Sequence, residues 1–162
     1  WSNDFGGVHT NSGIPNKIMY LVIQGDEHYD IIVEPFEDDI VQSRIVASNI
    51  WFAWNSYYLD KEDDFEIGRE KMLQACYDLY PNRLDYYQTI SNAWASTGIG
   101  NPILSGDVNQ DQVVNIQDII IMINIIMGNW DTTETQLILG DVNSDGIIDI
   151  LDIVAVVNII MN

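Results

Sequence analysis

The sequence predicts a mainly α-helical protein that combines a helical bundle lobe with a small duplicated loop–helix unit. Three observations support this prediction. Apolar residues recur at helical spacing through the first hundred residues. The last third repeats itself with a period of 34 residues, counted from Gly106 to Gly140. Between the two parts, segment 96–107 is rich in Gly, Pro, Ser and Thr, as junctions are. We therefore expect the lobe over residues 1–100, a junction over 101–105 and the duplicated unit over 106–162.

Acidic residues dominate the charge of the chain. Its 162 residues include 25 acids and six bases, which gives a formal net charge of −19. Nucleic acid and anionic membrane surfaces are excluded as partners because both attract basic proteins, whereas divalent cations are favoured. All six bases precede residue 84, and nine acids with no base lie from Asn101 onward. Cys76 is the single cysteine, so no disulfide forms within the chain. The apolar runs are too short to span a bilayer.

The first lobe is expected to begin with a helix and a short extended segment. Residues 14–24 form the helix, because Pro15 suits its first turn and Gly25 can end it. Segment 28–36 is short and rich in β-branched residues, which favours an extended conformation.

Three further helices complete the lobe. Segment 38–59 has apolar residues near helical spacing and is expected to be one long, well-buried helix. Segment 64–81 gives the next helix, with Asp64 as its N-cap and Pro81 at its end. Segment 83–97 gives the last, stopped by Gly98. The aromatic residues of these helices are expected to form the core.

Each repeat of the last third begins with an acidic loop. In the calcium-binding loop pattern, oxygen ligands occupy positions one, three, five, seven, nine and twelve, and position seven contributes its backbone carbonyl. The first loop places at these positions Asp107, Asn109, Asp111, Val113, Asn115 and Asp118. The second places there Asp141, Asn143, Asp145, Ile147, Asp149 and Asp152. We predict two Ca²⁺ sites. A solvated Asp- and Asn-rich turn is the alternative, and it is disfavoured because two copies occur in matching register.

A nearly continuous apolar helix follows each loop. Segments 119–127 and 153–161 are apolar except for Asn124 and Asn158. A two-helix unit buries one stripe of each helix, so a second apolar surface is left to be covered. The cover is expected to be a partner protein, another copy of the chain or the preceding lobe.

The repeats resemble the type I dockerin, a duplicated calcium module that docks onto cohesin domains. The resemblance covers residues 105–162 and rests on Asp at position twelve, a single helix after each loop and the spacer NWDTTETQLIL. Position six is Gln112 in the first loop rather than Gly. Positions ten and eleven hold Ile116–Gln117 and Ile150–Leu151, where cellulosomal dockerins often carry a Ser–Thr pair. This departure argues against a cellulosomal cohesin as the partner.

The opening segment, DFGGVHTNSG, resembles the thermolysin-like neutral metalloproteases, whose signature is Asp-Asn-Gly-Gly-Val-His followed by Asn-Ser-Gly. IQGDEHYD, MLQACYDLYP and ISNAWASTGIG extend the similarity over residues 1–100, the C-terminal helical lobe of that family. The resemblance implies that His9 stabilises the oxyanion of the tetrahedral intermediate and that Asp4 orients its imidazole. Phe5 stands where the family has Asn, and His28 is expected to be structural.

The zinc site of the family has no counterpart in this sequence. The His-Glu-x-x-His helix, the downstream Glu ligand and the general base precede the equivalent of Trp1 in the family. Zn²⁺ is therefore expected only if that N-terminal lobe is present, and the isolated chain is not expected to hydrolyse peptides.

Three functional hypotheses follow. The first is a processed C-terminal piece of a secreted thermolysin-like metalloprotease that acts as a calcium-dependent docking or assembly chain. The second is one chain of a cleaved but active zinc endopeptidase whose zinc-binding lobe is a separate polypeptide. The third is a self-assembling extracellular polymer, in which the last helices of one copy pack on the lobe of the next. The expected partner is a cohesin-like domain or another copy of the chain.

Overall fold

The computed structural model describes residues 11–81 and 83–161, which form two compact units. The first comprises most of the chain up to Pro102, and the second comprises chiefly the residues from Ile103 onward. No helix in the described part of the chain is both long enough and apolar enough to cross a membrane.

The first unit begins with helix α1, Gly13–Gln24, and a two-stranded hairpin. Gly25 ends α1 with a φ of 66°, and its N–H donates to the Leu21 carbonyl. The antiparallel strands β1, Asp26–His28, and β2, Ile31–Val33, pair in a register that joins Glu27 to Ile32. The predicted extended segment 28–36 therefore contains a turn, because Tyr29 and Asp30 both have positive φ and reverse the chain.

The predicted long helix 38–59 is divided into two parts. Helix α2 covers Ile40–Ala53, and Asp39 caps it by accepting hydrogen bonds from two backbone N–H groups. Trp54–Tyr58 then forms a π-helical turn that closes with a hydrogen bond from the Leu59 N–H to the Trp54 carbonyl. The turn buries the Trp54 indole, whose Nε1 donates to the Gly68 carbonyl at 2.8 Å.

Helices α3, Phe65–Leu79, and α4, Leu84–Ala95, complete the first unit. Asp64 caps α3, as predicted, by accepting from the Ile67 N–H. The ammonium of Lys71, a residue of α3, lies 3.0 and 2.7 Å from the carboxylates of Asp60 and Asp63, which precede the helix.

The core of the first unit is apolar and rich in aromatic rings. Trp94 is fully buried, makes ring contacts with Trp54 and Phe65, and donates from Nε1 to the Met72 sulfur at 3.2 Å. The buried set combines residues from the four described helices and the hairpin: Ile18, Leu21, Val22, Val33, Phe36, Val46, Ala47, Ile50, Trp54, Met72, Leu73, Ala75, Cys76, Tyr86, Ile90, Ala93, Trp94 and Ile99. The expectation that the aromatic residues form the core therefore describes Trp54 and Trp94 well.

The second unit contains two acidic loops and three helices. Helix α5, Ile116–Ile126, follows the first loop, and helix α7, Ile150–Met161, follows the second. Between them lies α6, Glu134–Gly140, in the segment that the sequence analysis treats only as a spacer. Thr133 and Gln136 start α6 with a capping box, a signal that was present in the sequence.

The core of the second unit is small. Among the described residues, its central cluster of buried apolar side chains is Val108, Ile119, Met122 and Val156, and Ile138 and Leu139 of α6 are also buried. In the central cluster Val108 belongs to the first loop, the next two to α5 and the last to α7, so this core joins a loop to both long helices. The N–H of Gly106 also donates to the Leu139 carbonyl at 2.8 Å, which ties the start of the first loop to α6.

Candidate calcium-binding loops

The first acidic loop wraps its backbone N–H groups around its own carboxylates. Asp107 accepts from the Asp111 N–H at 3.1 Å through Oδ1 and from the Gln112 N–H at 2.9 Å through Oδ2. The side-chain carbonyl of Asn109 also accepts from the Asp111 N–H, and Asp111 accepts from the Val113 N–H, each at 2.9 Å. Oxygen atoms at alternate positions are thereby held on one turn of chain, as a calcium loop requires.

The second loop repeats this arrangement bond for bond. Asp141 accepts from the Asp145 and Gly146 N–H groups at 3.0 and 2.8 Å. Asn143 accepts from the Asp145 N–H at 2.9 Å, and Asp145 accepts from the Ile147 N–H at 3.1 Å. The predicted ligands at positions one, three and five of the two loops therefore have equivalent surroundings.

The Asp at position twelve closes each loop. Asp118 accepts from the N–H groups of Asn109 and Asn115 at 3.1 and 2.9 Å, and it lies in the first turn of α5. Asp152 accepts from the N–H groups of Asn143 and Asp149 at 3.1 and 2.8 Å, in the first turn of α7. Each carboxylate therefore joins the middle of a loop to the start of a helix, where its negative charge is also favoured.

These carboxylates are buried. Asp107, Asp118, Asp141 and Asp152 are at most 5% exposed. Burial raises the pKa of the Asp107 carboxyl above its ordinary value. The N–H groups of Gln112 and Asp111 oppose this rise in pKa, and the negative charges of Asp118 and Asp111 add to it. A bound cation would relieve both the desolvation of these groups and their mutual repulsion.

The donor set fits Ca²⁺ as a complete loop rather than as a carboxylate cluster. Within residues 11–81 and 83–161, no three His, Cys, Asp or Glu side chains are grouped so as to hold a metal on their own. Three of the six predicted ligands in the first loop are instead amide or backbone oxygens. A carboxylate oxygen that accepts one N–H also keeps a second lone pair for an ion. Hard oxygen donors in this order suit Ca²⁺ better than Zn²⁺.

Position six has a left-handed backbone in both loops. Gly146 has a φ of 92°, and Gln112 adopts the same region with a φ of 69°. Position four behaves likewise, with Gln110 at 61° and Ser144 at 60°. The first loop thus makes the same turn without a glycine, and a non-Gly residue in this region costs about 1–2 kcal/mol.

Gly106 and Gly140, the two glycines that mark the start of each repeat, also have structural roles. A Cβ on Gly106 would lie 3.1 Å from Val156 and 3.2 Å from Val114, and its φ is 90°. A Cβ on Gly140 would lie 2.6 Å from Ile148. Both glycines immediately precede position one, so they let the chain enter each loop close to the small core. The recurrence of these glycines at the same place in both repeats is the sequence signal that could have predicted this role.

The outer faces of α5 and α7 are apolar and exposed. Ile116 and Ile150 are 62% and 63% exposed, and Ile120 and Val154 are 54% and 53% exposed. Met122, by contrast, is fully buried. We call the exposed apolar side chains of the two helices the paired apolar faces: Ile116, Ile120, Ile123 and Ile126 on α5, and Ile150, Leu151, Val154, Val157, Ile159, Ile160 and Met161 on α7.

The candidate protease residues Asp4 and His9 lie outside the described residues, as does Phe5. His28 lies within β1, half-buried, and its Nδ1 is 2.8 Å from the Ser96 carbonyl oxygen. This contact joins the hairpin to the end of α4 and agrees with a structural role.

Comparison with known families accounts for both parts of the chain. The family model of the thermolysin metallopeptidase alpha-helical domain matches residues 1–99. The chain belongs to the thermolysin metallopeptidase family. A second family model, the dockerin type I domain, matches residues 105–161. The resemblances identified from the sequence and the mainly α-helical fold are thereby confirmed.

The chain is similar to several bacterial proteases. It is 30% identical over 98 residues to neutral protease B of Bacillus subtilis, and 34% identical over 98 residues to the thermostable neutral protease NprT of Geobacillus stearothermophilus. A thermolysin of Alicyclobacillus acidocaldarius is also 34% identical over 98 residues. Each alignment covers 60% of this chain and 17% of the relative. The chain thus spans about a sixth of the length of these relatives.

The two families define its general properties. Dockerin modules bind calcium and bind cohesin domains, so the chain carries a module for protein–protein interaction. Thermolysin-like proteases are zinc enzymes, and they and dockerin modules are typically extracellular.

Proposed function

We propose that this chain is the C-terminal part of a secreted thermolysin-like metalloprotease, that it acts in calcium-dependent docking, and that it is not catalytic alone. In this assignment residues 1–100 are the protease lobe, 101–105 the junction and 106–162 the docking module. The observation that carries the proposal is the paired apolar faces, because each follows a loop that buries two of its carboxylates. Calcium would order the loops, and the ordered loops would set the two helices in place.

Two Ca²⁺ ions would be held, one in each loop. The ligands in the first loop would be Asp107, Asn109, Asp111, the Val113 carbonyl, Asn115 and Asp118. Those in the second would be Asp141, Asn143, Asp145, the Ile147 carbonyl, Asp149 and Asp152. The equivalent hydrogen bonds within the two loops support equal stoichiometry.

The partner we favour is a cohesin-like domain rather than a second copy of the chain. The paired apolar faces belong to a unit with no Lys or Arg from Asn101 onward, and the whole chain has a net charge of −19. Contact between two copies would bring like charges together, which opposes self-association. Position ten holds Ile116 and Ile150, where cellulosomal dockerins often carry Ser. The matching surface of the cohesin-like domain is therefore expected to be apolar.

The test measures docking to a cohesin domain with and without calcium. Sedimentation of the full chain with a cohesin-like domain whose docking surface is apolar is expected to give a complex in calcium that dissociates on chelation. Val157→Glu, on the paired apolar faces, is expected to abolish the complex while both calcium sites remain filled. Ile32→Glu is the matched control, because Ile32 is an exposed apolar residue of the hairpin in the first unit. Concentration-dependent self-association without cohesin, abolished by Val157→Glu, would instead favour the assembly of copies.

Membership of the thermolysin family supports one alternative. A separate polypeptide with the zinc-binding lobe would complete an active endopeptidase. In that enzyme His9 would stabilise the oxyanion, and Asp4 would orient the His9 imidazole. The isolated chain, supplied with zinc and calcium, is expected not to cleave casein. Activity that appears only when the zinc-binding lobe is added, and that His9→Ala removes, would establish this alternative.

A further inference from the structure

We infer that the second loop binds calcium more tightly than the first, so that the first loop sets the calcium concentration at which the docking unit becomes complete. This inference rests on the proposed calcium function of the two loops. It derives from the few positions at which two otherwise equivalent loops differ.

The two loops differ in the charge of their ligands. They share Asp, Asn, Asp and Asp at positions one, three, five and twelve, but position nine is Asn115 in the first and Asp149 in the second. The first loop therefore has three carboxylates and the second has four. Calcium affinity rises with the number of charged ligands, which favours the second loop.

Position nine also affects the carbonyl ligand at position seven. In the first loop, the side-chain amide of Asn115 donates to the Val113 carbonyl oxygen at 3.1 Å. That oxygen is the expected backbone ligand, so an internal donor already occupies one of its two lone pairs and makes it a weaker calcium ligand. Asp149 is acceptor-only when ionised and has no such donor for the Ile147 carbonyl.

Position six gives a third difference in the same direction. Both loops need a left-handed backbone there, which Gly146 adopts freely and Gln112 adopts only with strain. Because ordering of such a loop is coupled to ion binding, this strain lowers the calcium affinity of the first loop.

Filling of the first loop bears on the whole docking unit. Asp118 closes that loop and forms a capping box with Asn115 at the start of α5. Val108 of the loop and Met122 of α5 are fully buried with Val156 of α7. The α5 half of the paired apolar faces is therefore expected to become ordered in the second, weaker binding step.

The experiment is calorimetric titration of the chelator-treated full chain with calcium alone. The wild type is expected to bind two ions in two steps whose Kd values differ by about tenfold or more. Asn115→Asp and Gln112→Gly are each expected to tighten the weaker step several-fold, on the order of tenfold. Asp149→Asn is expected to weaken the tighter step. Gln117→Leu is the control, because it matches the first loop to Leu151 at a position that provides no ligand, and it should change neither step.

Two results would overturn the inference. One is two equal sites in the wild type that remain equal in Asn115→Asp. The other is loss of the tighter step in Asp107→Ala with retention in Asp141→Ala. Either result would leave the proposed calcium function intact, because two ions would still bind. Absence of any calcium binding would overturn the proposed function together with the inference.

Discussion

The two units of this chain bury opposite kinds of side chain. The first buries Trp54 and Trp94 among aliphatic residues, whereas the described part of the second buries four aspartates beside only six apolar residues. Apolar burial stabilises a fold without any further component, at about 25 cal/mol per Å². Buried carboxylates destabilise it until a cation offsets their charge. This difference predicts that the first unit folds without a ligand, whereas the second needs a bound cation to become complete.

Removal of calcium by a chelator is expected to give the largest difference in thermal stability between the two units. Calorimetry in calcium should give transitions from both units, and a chelator should abolish the transition of residues 103–161. At a calcium concentration about a thousandfold above Kd, each ion contributes about 4 kcal/mol to the stability of the unit that binds it. An unchanged melting profile in chelator would show that the small core suffices.

Loss of the central tryptophan is expected to have the reverse effect. Trp94→Ala removes a fully buried side chain that contacts Trp54 and Phe65. It should destabilise the first unit by about 3–5 kcal/mol. Calcium titration of the same variant should still give two bound ions. Loss of calcium binding in Trp94→Ala would mean that the second unit depends on the first.

Two glycines allow a finer comparison of backbone strain and crowding. Gly98 in the first unit and Gly106 in the second have φ values of 85° and 90°, but only Gly106 has side chains close to the position of a Cβ. Gly98→Ala should cost about 1–2 kcal/mol from strain alone. Gly106→Ala should cost about 1–3 kcal/mol more, because Val156 and Val114 have to move. If chemical denaturation shows that Gly98→Ala and Gly106→Ala lower the free energy of unfolding equally, the side chains around Val156 can move without loss of stability.

The smallest expected effect is the response of the first unit to acid. The N–H of Asp60 and the Lys71 ammonium hold the pKa of Asp63 below its ordinary value. The stabilisation from Asp63 is therefore present above the ordinary pKa of an Asp and is lost as the pH falls through the lowered pKa. Asp63→Asn should make the chelated chain less stable at neutral pH, with the difference from wild type shrinking in acid. A difference that does not vary with pH would exclude a role for the Asp63 charge.

Local signals in the sequence predicted most of the first unit. Helix spacing, Asp64 and Gly25 located helices α1 and α3 because these signals act within a turn of the chain. The π-helical turn at Trp54 was not predictable in this way. It depends on the indole reaching the Gly68 carbonyl, fourteen residues away, and helix periodicity carries no trace of that contact. The hairpin was missed because Tyr29–Asp30 lacks the Asn-Gly or Asp-Gly pair that usually marks such turns.

The candidate calcium loops were predictable for a different reason. A ligand at every second residue is a local pattern, and its duplication made it specific. Helix α6 was not predicted, although Thr133 and Gln136 form a capping box, because its seven residues are too few for helical periodicity to show. The hydrogen bond from Asn115 to the Val113 carbonyl needed coordinates, since the direction of an amide side chain is not encoded by spacing.

Lys71 shows how the first unit neutralises its own crowded carboxylates. Its ammonium lies between Asp60 and Asp63, so this counter-ion is a permanent part of the polypeptide. The counter-ions proposed for the second unit are exchangeable, and their occupancy follows their concentration outside the protein. Dilution or a change of compartment cannot withdraw the lysine, but either can withdraw calcium. One chain would thus carry a lysine–carboxylate cluster that does not depend on the calcium concentration and two acidic loops whose charge state does.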